Sequence, residues 1–251
     1  MKKCLLAMIT TIFILTLLAS CQGTRRYDIV ENNTDEYDNV QTVTVQGQRM
    51  IYTSFDDMFF TSSFIAEEFP GFGMVIARAE ILDERVEMID IMVATREHLN
   101  NPYLESRYMP HTINRIKILE VFFTEMGVRN KIEVGNIIDL ERIGGRYGDV
   151  EYIFTRAPIS IGDDLIMFLM AGNSSGSVSL LSSVEGVYRV PPALTEHQTI
   201  MDITHTRAIP NDLMLQNLHP ENDLTLTIGD LVSFAEGDAP YSTPLPVNIA
   251  D

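Results

Sequence analysis

The stretch "INRIKILEVFF", Ile113 to Phe123, contains the change of pattern from which the fold class is inferred. In its first half, Ile116 and Ile118 alternate with polar or basic residues, as in a strand with one buried face. The apolar phase then slips by one residue and continues from Leu119. Such a slip is typical of a β-bulge, and bulges bend strands enough to close a small barrel. The stretch therefore predicts a bulged strand in a closed or strongly curved sheet.

Four further segments have the composition of strands. They either alternate apolar and polar residues or, in one case, are apolar on both faces, as a central strand is. The segments read "GMVIARAEIL" (73–82), "NIIDLERIGG" (136–145), "DDLIMFLMAG" (163–172) and "SVSLLSSVEGVYRV" (177–190). With the stretch above, they predict a mainly β protein whose centre is a five-stranded antiparallel barrel or a strongly curved sheet.

A helix is predicted before the strands, in "SFDDMFFTSSFIAEEFPG" (54–71). Ser54 and Asp57 have the spacing of a capping box, and acids in the first turn suit the helix dipole. Aromatic and aliphatic residues then recur at helical spacing, which is typical of a face packed on a core. Pro70 marks the end of the helix.

A second, short helix is predicted near the C-terminus, in "LTIGDLVSFAEG" (226–237). Thr227 is the expected N-cap and Asp230 stands at the capping-box position. The sequence after it is rich in proline, which indicates an extended or flexible tail.

The strand segments resemble a pattern found in uncharacterised secreted proteins and lipoproteins of bacteria that carry a small OB-like barrel. The resemblance covers roughly Phe55 to Val190, and at the second turn Ile132 follows Lys131 where the family tends to have glycine. It implies an OB-like barrel and an extracellular location, and it implies no known reaction and no functional residues. The matching positions are 116–121, Lys131, 135–138, Gly144, Gly145, Pro158, 161–169 and 186–190.

The N-terminus has the layout of a secretory signal. Lys2 and Lys3 precede an apolar run that ends at Leu18, too short for a membrane span of about 20 residues. The following "ASC" completes a pattern that resembles the lipobox of bacterial lipoproteins, with Cys21 as the lipidated residue. A plain signal peptide and an uncleaved anchor are the alternatives. Lipidation would hold the protein outside the cell, on the membrane surface.

These features predict a division of the chain into five parts. The parts are a lipoprotein signal peptide (1–20), a disordered acidic spacer (21–42), the OB-like barrel domain (43–195), a C-terminal extension with a short helix (196–236) and a Pro-rich tail (237–251).

The charge of the chain disfavours nucleic acid as a partner. The 35 acidic residues outnumber the 18 basic ones, for a formal net charge of −17 in 251 residues. Binding to a phosphate backbone calls for clustered Lys and Arg, which the sequence lacks. Cations and basic polypeptides are the ligands that this charge favours.

One motif suggests nucleophilic catalysis. The loop "GNSSG" (172–176) has the Gly-x-Ser-x-Gly pattern of hydrolases, with Ser174 as nucleophile and with Asp202 and His205 following in the expected order. That mechanism needs a helix directly after the serine, whereas "SVSL" predicts a strand. We therefore interpret the motif as a loop between strands and expect no catalytic residue in it.

Metal and cofactor sites are not indicated. The histidines are scattered, at His98, His111, His197, His205 and His219. None has the spacing of zinc ligands. The acidic pairs Asp56-Asp57, Asp83-Glu84 and Asp163-Asp164 offer oxygens for Ca²⁺, but no calcium loop surrounds them. "GFGMVI", from Gly71, lacks the third glycine of a dinucleotide fingerprint.

Three functions are compatible with these observations. The first is a non-enzymatic, lipid-anchored module that binds a protein, a peptide or an envelope component. The second is a hydrolase acting on envelope or extracellular polymers, which uses Ser174 or a pair of acids. The third is a structural subunit of another surface protein. We expect the first.

Overall fold

Two long antiparallel strands form the centre of the fold, and shorter strands pair with each of them. The computed structural model describes residues 28–34, 41–46, 52–90, 108–128, 131–154, 156–172, 177–194, 199–201 and 209–237. The strands in these ranges are β1 (Asp28–Thr34), β2 (Gln41–Gln46), β3 (Gly73–Asp90), β4 (Tyr108–Thr124), β5 (Ile137–Ile143), β6 (Gly145–Tyr147), β7 (Val150–Ile153), β8 (Asp164–Ala171), β9 (Ser177–Leu180), β10 (Val187–Arg189) and β11 (Gln216–Asn217). The helices are α1 (Phe55–Glu68) and α2 (Ile228–Glu236).

The larger sheet has seven strands in the order β11-β10-β8-β3-β4-β5-β9. The strand β9 pairs with β5 on one side and also with β8, so the pairings form a circuit of β8, β3, β4, β5 and β9. The β5–β9 pairing is parallel, whereas the other pairings of this sheet are antiparallel. The predicted mainly β class is confirmed. The sheet is mixed and seven-stranded, which corrects the prediction of a purely antiparallel, five-stranded one.

A smaller sheet contains four strands in the order β1-β2-β7-β6. Its strand β1 lies within residues 21–42, for which the acidic composition predicts a disordered spacer. The β-branched residues Ile29, Val30 and Thr34 favour an extended chain, and pairing with β2 supplies its backbone hydrogen bonds. The structure thus places a strand in the middle of the predicted spacer.

The strand β4 is bulged, as its sequence predicts. Its register against β3 shifts three times: the extra residue is in β4 at Leu119 and at Phe122, and in β3 at Leu82. After the bulge at Leu119 the even-numbered residues Glu120 and Phe122 stay buried, whereas the predicted odd-numbered phase is only half-buried. Because β4 has a hydrophobic core on each face, its odd-numbered and its even-numbered side chains both contact apolar neighbours.

The helix α1 begins where the sequence predicts. The side chain of Ser54 accepts a hydrogen bond from the backbone of Asp57 at 3.2 Å. The return bonds of the Asp57 carboxylate go to the backbone and hydroxyl of Thr53, one residue earlier than a standard capping box. The helix ends at Glu68, two residues before Pro70.

The helix α2 is capped by the predicted box. The hydroxyl of Thr227 accepts a hydrogen bond from the backbone of Asp230 at 3.1 Å, and the Asp230 carboxylate accepts the Thr227 backbone N–H at 2.8 Å. Gly237 closes the helix in the left-handed conformation.

The two helices pack together on one face of the sheet. The rings of Phe59 in α1 and Phe234 in α2 have their centroids 5.2 Å apart, and Phe55 stacks on Phe168 of β8 at 5.6 Å. This core also includes leucines from the predicted C-terminal extension, such as Leu215. Buried leucines of the predicted extension thus belong to the same core as residues of the strands before it.

The second core lies inside the circuit of five strands. It consists of small and branched side chains, including Ala77, Ile116, Leu140, Leu165 and Val178, all almost fully buried. Each of the five strands in the circuit supplies one of these residues. In the described residues, neither helix is long and apolar enough to span a membrane.

Candidate functional site

A groove of about 510 Å³ lies on the face of β3, β4 and β5 that points away from the second core. In the register of these strands, Arg115 lies opposite Asp139, and Ile113 lies between Arg85 and Glu141. Residues two positions apart on a strand share a face. The side chains of Arg85, Ile113 and Glu141 and those of Arg115 and Asp139 therefore point into the same groove. We call it the outer groove; its lining residues are Arg85, Glu87, Ile89, Ile113, Arg115, Ile137, Ile138, Asp139, Glu141 and Ser177.

Arg85 is fixed in the outer groove by two carboxylates. Its Nη2 lies 2.7 Å from Oδ2 of Asp139, and its Nε lies 2.6 Å from Oε1 of Glu87. The hydrogen bonds with Asp139 and Glu87 raise the pKa of Arg85 above its ordinary value. The Arg85 side chain is 44% exposed, so each pair contributes at most about 1 kcal/mol to stability. The pairs hold the charges in position more than they stabilise the fold.

Two further charges lie at the outer groove without an ion pair in the described residues, Arg115 and Glu141. Arg115 is exposed and Glu141 is half-buried. Between the charged rows, Ile113 is 3% exposed, whereas Ile137 is 48% exposed at the groove's edge. A mainly polar groove with available charges of both signs and an exposed isoleucine at its edge can bind a charged chain that carries an apolar side chain.

The residue that directly follows "GNSSG" in the sequence, Ser177, lines the outer groove. Ser177 begins β9 and pairs with Asp139 of β5. The loop is followed by a strand, as the sequence predicts, and not by the helix that a nucleophile elbow needs. Ser174, Asp202 and His205 lie outside the described residues, as does the predicted lipidation site Cys21.

The first acidic pair, Asp56-Asp57, lies at the start of α1. Hydrogen bonds from Thr53 and then Ser54 lower the pKa of Asp57 below its ordinary value. These bonds occupy the Asp57 carboxylate in capping the helix.

The second acidic pair, Asp83-Glu84, borders a polar cluster that includes Asn114 and Arg142. Glu84 accepts hydrogen bonds from Asn114 at 3.0 Å and from Arg142 at 3.3 Å, and Arg142 also donates to Asn114 at 2.8 Å. Burial, assisted by the charge of Arg156, lowers the pKa of Arg142 to about 10. The cluster satisfies buried polar groups where β3, β4 and β5 meet.

The third acidic pair, Asp163-Asp164, links β8 to its neighbours. Asp163 accepts a hydrogen bond from the backbone of Ser160 and forms an ion pair with Arg189 at 3.0 Å. Asp164 forms a bidentate pair with Arg78. Throughout the ranges that the structure describes, no three His, Cys, Asp or Glu side chains come together as metal ligands.

Two of the five histidines lie in described residues. The Nδ1 atom of His111 is 3.1 Å from the carbonyl oxygen of Met109, and Nδ1 of His219 accepts the backbone N–H of Glu221 at 3.1 Å. In both cases the partner is two residues away in the sequence, so each imidazole ring is positioned by its own chain segment.

The residues of the outer groove were not singled out from the sequence. The polar positions of "NIIDLERIGG" supply Asp139 and Glu141, and those of "INRIKILEVFF" supply Arg115, but such alternation is equally typical of any solvated sheet face. Only the register shows that these side chains share one concave surface with Arg85.

No protein-family model, no curated protein and no solved structure matches this chain.

Proposed function

We propose that this protein is a lipid-anchored, extracytoplasmic binding module that holds a peptide segment of a partner in its outer groove. The observation that carries the proposal is the groove itself, with the exposed Ile137 at its edge, Arg115 and Glu141 available for pairing, and Arg85 held in place by two acids. A peptide offers the apolar side chains and the charges of both signs that such a surface complements.

The position of the outer groove supports this proposal. We propose that β3, β4, β5, β8 and β9 form an OB-like barrel, and their closed circuit of pairings supports it. OB barrels bind ligands on the face of their second and third strands, and beside the loops that follow the first and fourth. Counted in chain order, β4 and β5 are the second and third strands, and "GNSSG" (172–176) follows the fourth.

The binding proposal is tested by capture from envelope extract of the native organism, with the full-length protein as bait. Arg115→Glu reverses an exposed charge in the outer groove, and Lys131→Glu reverses an exposed charge on the turn between β4 and β5. We expect a partner that is retained by the wild type and by Lys131→Glu and is lost with Arg115→Glu. Partners that bind all three proteins equally would count against the outer groove as the binding site.

The lipid anchor rests on the N-terminal sequence and is tested separately. We expect the protein extracted from membranes to begin at Cys21 with the mass of an added diacylglyceryl group. Cys21→Ala is expected to appear in the soluble fraction. A Cys21→Ala protein that is as firmly membrane-bound as the wild type would contradict the proposed anchor.

A second candidate function is hydrolysis of an envelope polymer. Asp139 and Glu141 favour it because they are two of the three carboxylates that line the groove, and glycosidases use a pair of carboxylates that flank the scissile bond. The test is release of reducing sugar ends from envelope polysaccharide by the wild type and by Glu141→Gln. Turnover that the Glu141→Gln variant abolishes would replace binding by hydrolysis as the proposed function.

A further inference from the structure

The helix α1 exposes a row of aromatic side chains, which we call the aromatic stripe: Phe60, Phe64 and Phe69. Their exposed fractions are 56%, 54% and 61%. Phe60 and Phe64 lie one turn apart on the helix, and Phe69 follows its end, where it contacts Phe72 edge-to-face at 6.3 Å. Neighbouring large aromatic residues on a surface mark interaction sites, because their exposure to water is unfavourable. The stripe lies on a helix, separate from the outer groove.

Two glutamates in the last turn of α1 adjoin the aromatic stripe. Glu67 and Glu68 are exposed, and the helix contains no basic residue. Acids at a helix C-terminus are unfavourable because they lie at the negative end of the helix dipole. Among the described residues, no cation forms an ion pair with either glutamate. The arrangement therefore lowers the stability of α1 without an evident gain in the fold, and such violations are expected at functional sites.

We propose that the aromatic stripe is a docking surface for a positively charged amphipathic helix of a partner protein. The apolar face of that helix covers Phe60, Phe64 and Phe69, and its Lys or Arg side chains pair with Glu67 and Glu68. This pairing neutralises the acids at the helix end, so the partner supplies the charge that α1 lacks. Helices commonly bind through apolar anchors at this spacing, with aromatic residues contributing most of the affinity.

Charge complementarity favours a cationic helix over two other possible occupants of the aromatic stripe, a second copy of the chain and an anionic membrane. A second copy of the chain would bring the same two glutamates to the interface, where like charges repel. An anionic membrane surface would repel them in the same way. A cationic helix satisfies both the apolar and the acidic parts of the surface.

The test uses two synthetic peptides and the full-length protein. One peptide has Leu and Lys at amphipathic helical spacing, and the other has Glu in place of every Lys. We expect the Lys peptide to bind and the Glu peptide not to bind in titration calorimetry. Phe64→Ser is expected to weaken binding of the Lys peptide about tenfold or more, as truncation of an interface aromatic does.

Charge reversal separates docking from folding. Glu68→Lys is expected to weaken binding of the Lys peptide while leaving the thermal midpoint equal or higher, because a cation suits the helix end. The matched control is Glu236→Lys, which makes the same change at the exposed end of α2 and is expected to leave binding unchanged. Equal binding of the two peptides, no binding of either, or equal effects of the two substitutions would overturn the proposal. Self-association that Phe64→Ser abolishes would overturn the choice of occupant.

Discussion

Arg78 and Asp164 form a bidentate ion pair between the neighbouring strands β3 and β8. The Nη2 atom of Arg78 lies 2.6 Å from Oδ2 of Asp164, and its Nε lies 2.9 Å from Oδ1. The Arg78 side chain is 4% exposed and also donates to the carbonyl of Leu194 at 3.1 Å. The pair therefore connects both strands to the turn that follows β10.

We expect Asp164→Ala to lower the free energy of unfolding by about 3 kcal/mol or more, because it leaves a buried guanidinium without its carboxylate. Urea denaturation measures the change. The double variant Arg78→Met/Asp164→Ala is expected to recover only part of it, since it removes the unpaired guanidinium but also takes a nearby positive charge away from the buried Glu120. The exposed pair of Arg85 and Asp139 serves as the control, with an expected cost of at most about 1 kcal/mol for Asp139→Ala. Similar costs at both carboxylates would contradict the prediction.

Tyr188 predicts a loss of stability at alkaline pH. Burial raises the pKa of its hydroxyl above the ordinary value of 10.0. The hydroxyl has no hydrogen-bond partner within the described residues. Above pH 10 the unfolded hydroxyl releases its proton while the folded one keeps it, so stability falls as pH rises.

Tyr188→Phe removes this ionisation. We expect a free energy of unfolding at pH 7 that is unchanged or higher by up to about 1 kcal/mol, and a shallower decline above pH 10. Unfolding by urea at a series of pH values measures both. The exposed Tyr147, changed to Phe, is the control and is expected to leave the decline unchanged. A steeper decline in Tyr188→Phe would show that the hydroxyl is not buried as described.

Gly172, directly after β8, permits a close approach of two backbone segments. A Cβ there would lie 2.2 Å from the carbonyl oxygen of Gly71, and its φ of +121° disfavours any side chain. We expect Gly172→Ala to cost more than about 2 kcal/mol, because backbone must move. Gly148→Ala, also at positive φ but in open space, is expected to cost about 1 kcal/mol. Equal thermal midpoints for the two variants would refute the close approach.

Thr227 predicts a measurable contribution of the capping box to stability. Thr227→Ala removes the oxygen that accepts the Asp230 backbone N–H, and we expect a loss of about 1 kcal/mol. Thr225→Ala, at an exposed position two residues earlier, is expected to change stability little. Thermal unfolding of both variants provides the comparison. A neutral Thr227→Ala would mean that water replaces the cap.

The elements that could be predicted from the sequence are those that local chemistry determines. The caps at Ser54 and Thr227 and the bulges of β4 follow from side chains close together in the chain. Strand order is different, because the parallel pairing of β5 with β9 joins residues about 40 positions apart. No local signal encodes that pairing. The strand β1 is not evident from the sequence, because its β-branched residues stand among acidic and polar neighbours.

The candidate site could not be predicted because it is assembled across strands. Asp139 and Glu141 look like ordinary polar positions of an alternating strand until the register brings them beside Arg85 and Arg115. Ser177, which lines the outer groove, directly follows the prominent motif around Ser174 in the sequence, yet that motif gives no indication of the groove.

The pairing of β9 with both β5 and β8 also affects the tendency of this protein to aggregate at high concentration. The outer side of β8 is shared between β10, along Leu165–Met167, and β9, along Leu169–Met170. In the seven-stranded sheet, the end formed by β9 is thus occupied, and the other end is β11, which is two residues long. Aggregation by edge-to-edge pairing needs a longer open ladder than that. At these two ends, the sheet therefore offers neighbouring molecules almost no template for cross-β growth, and its longer open edge is that of β3 beyond Glu80, where the described pairing with β8 stops.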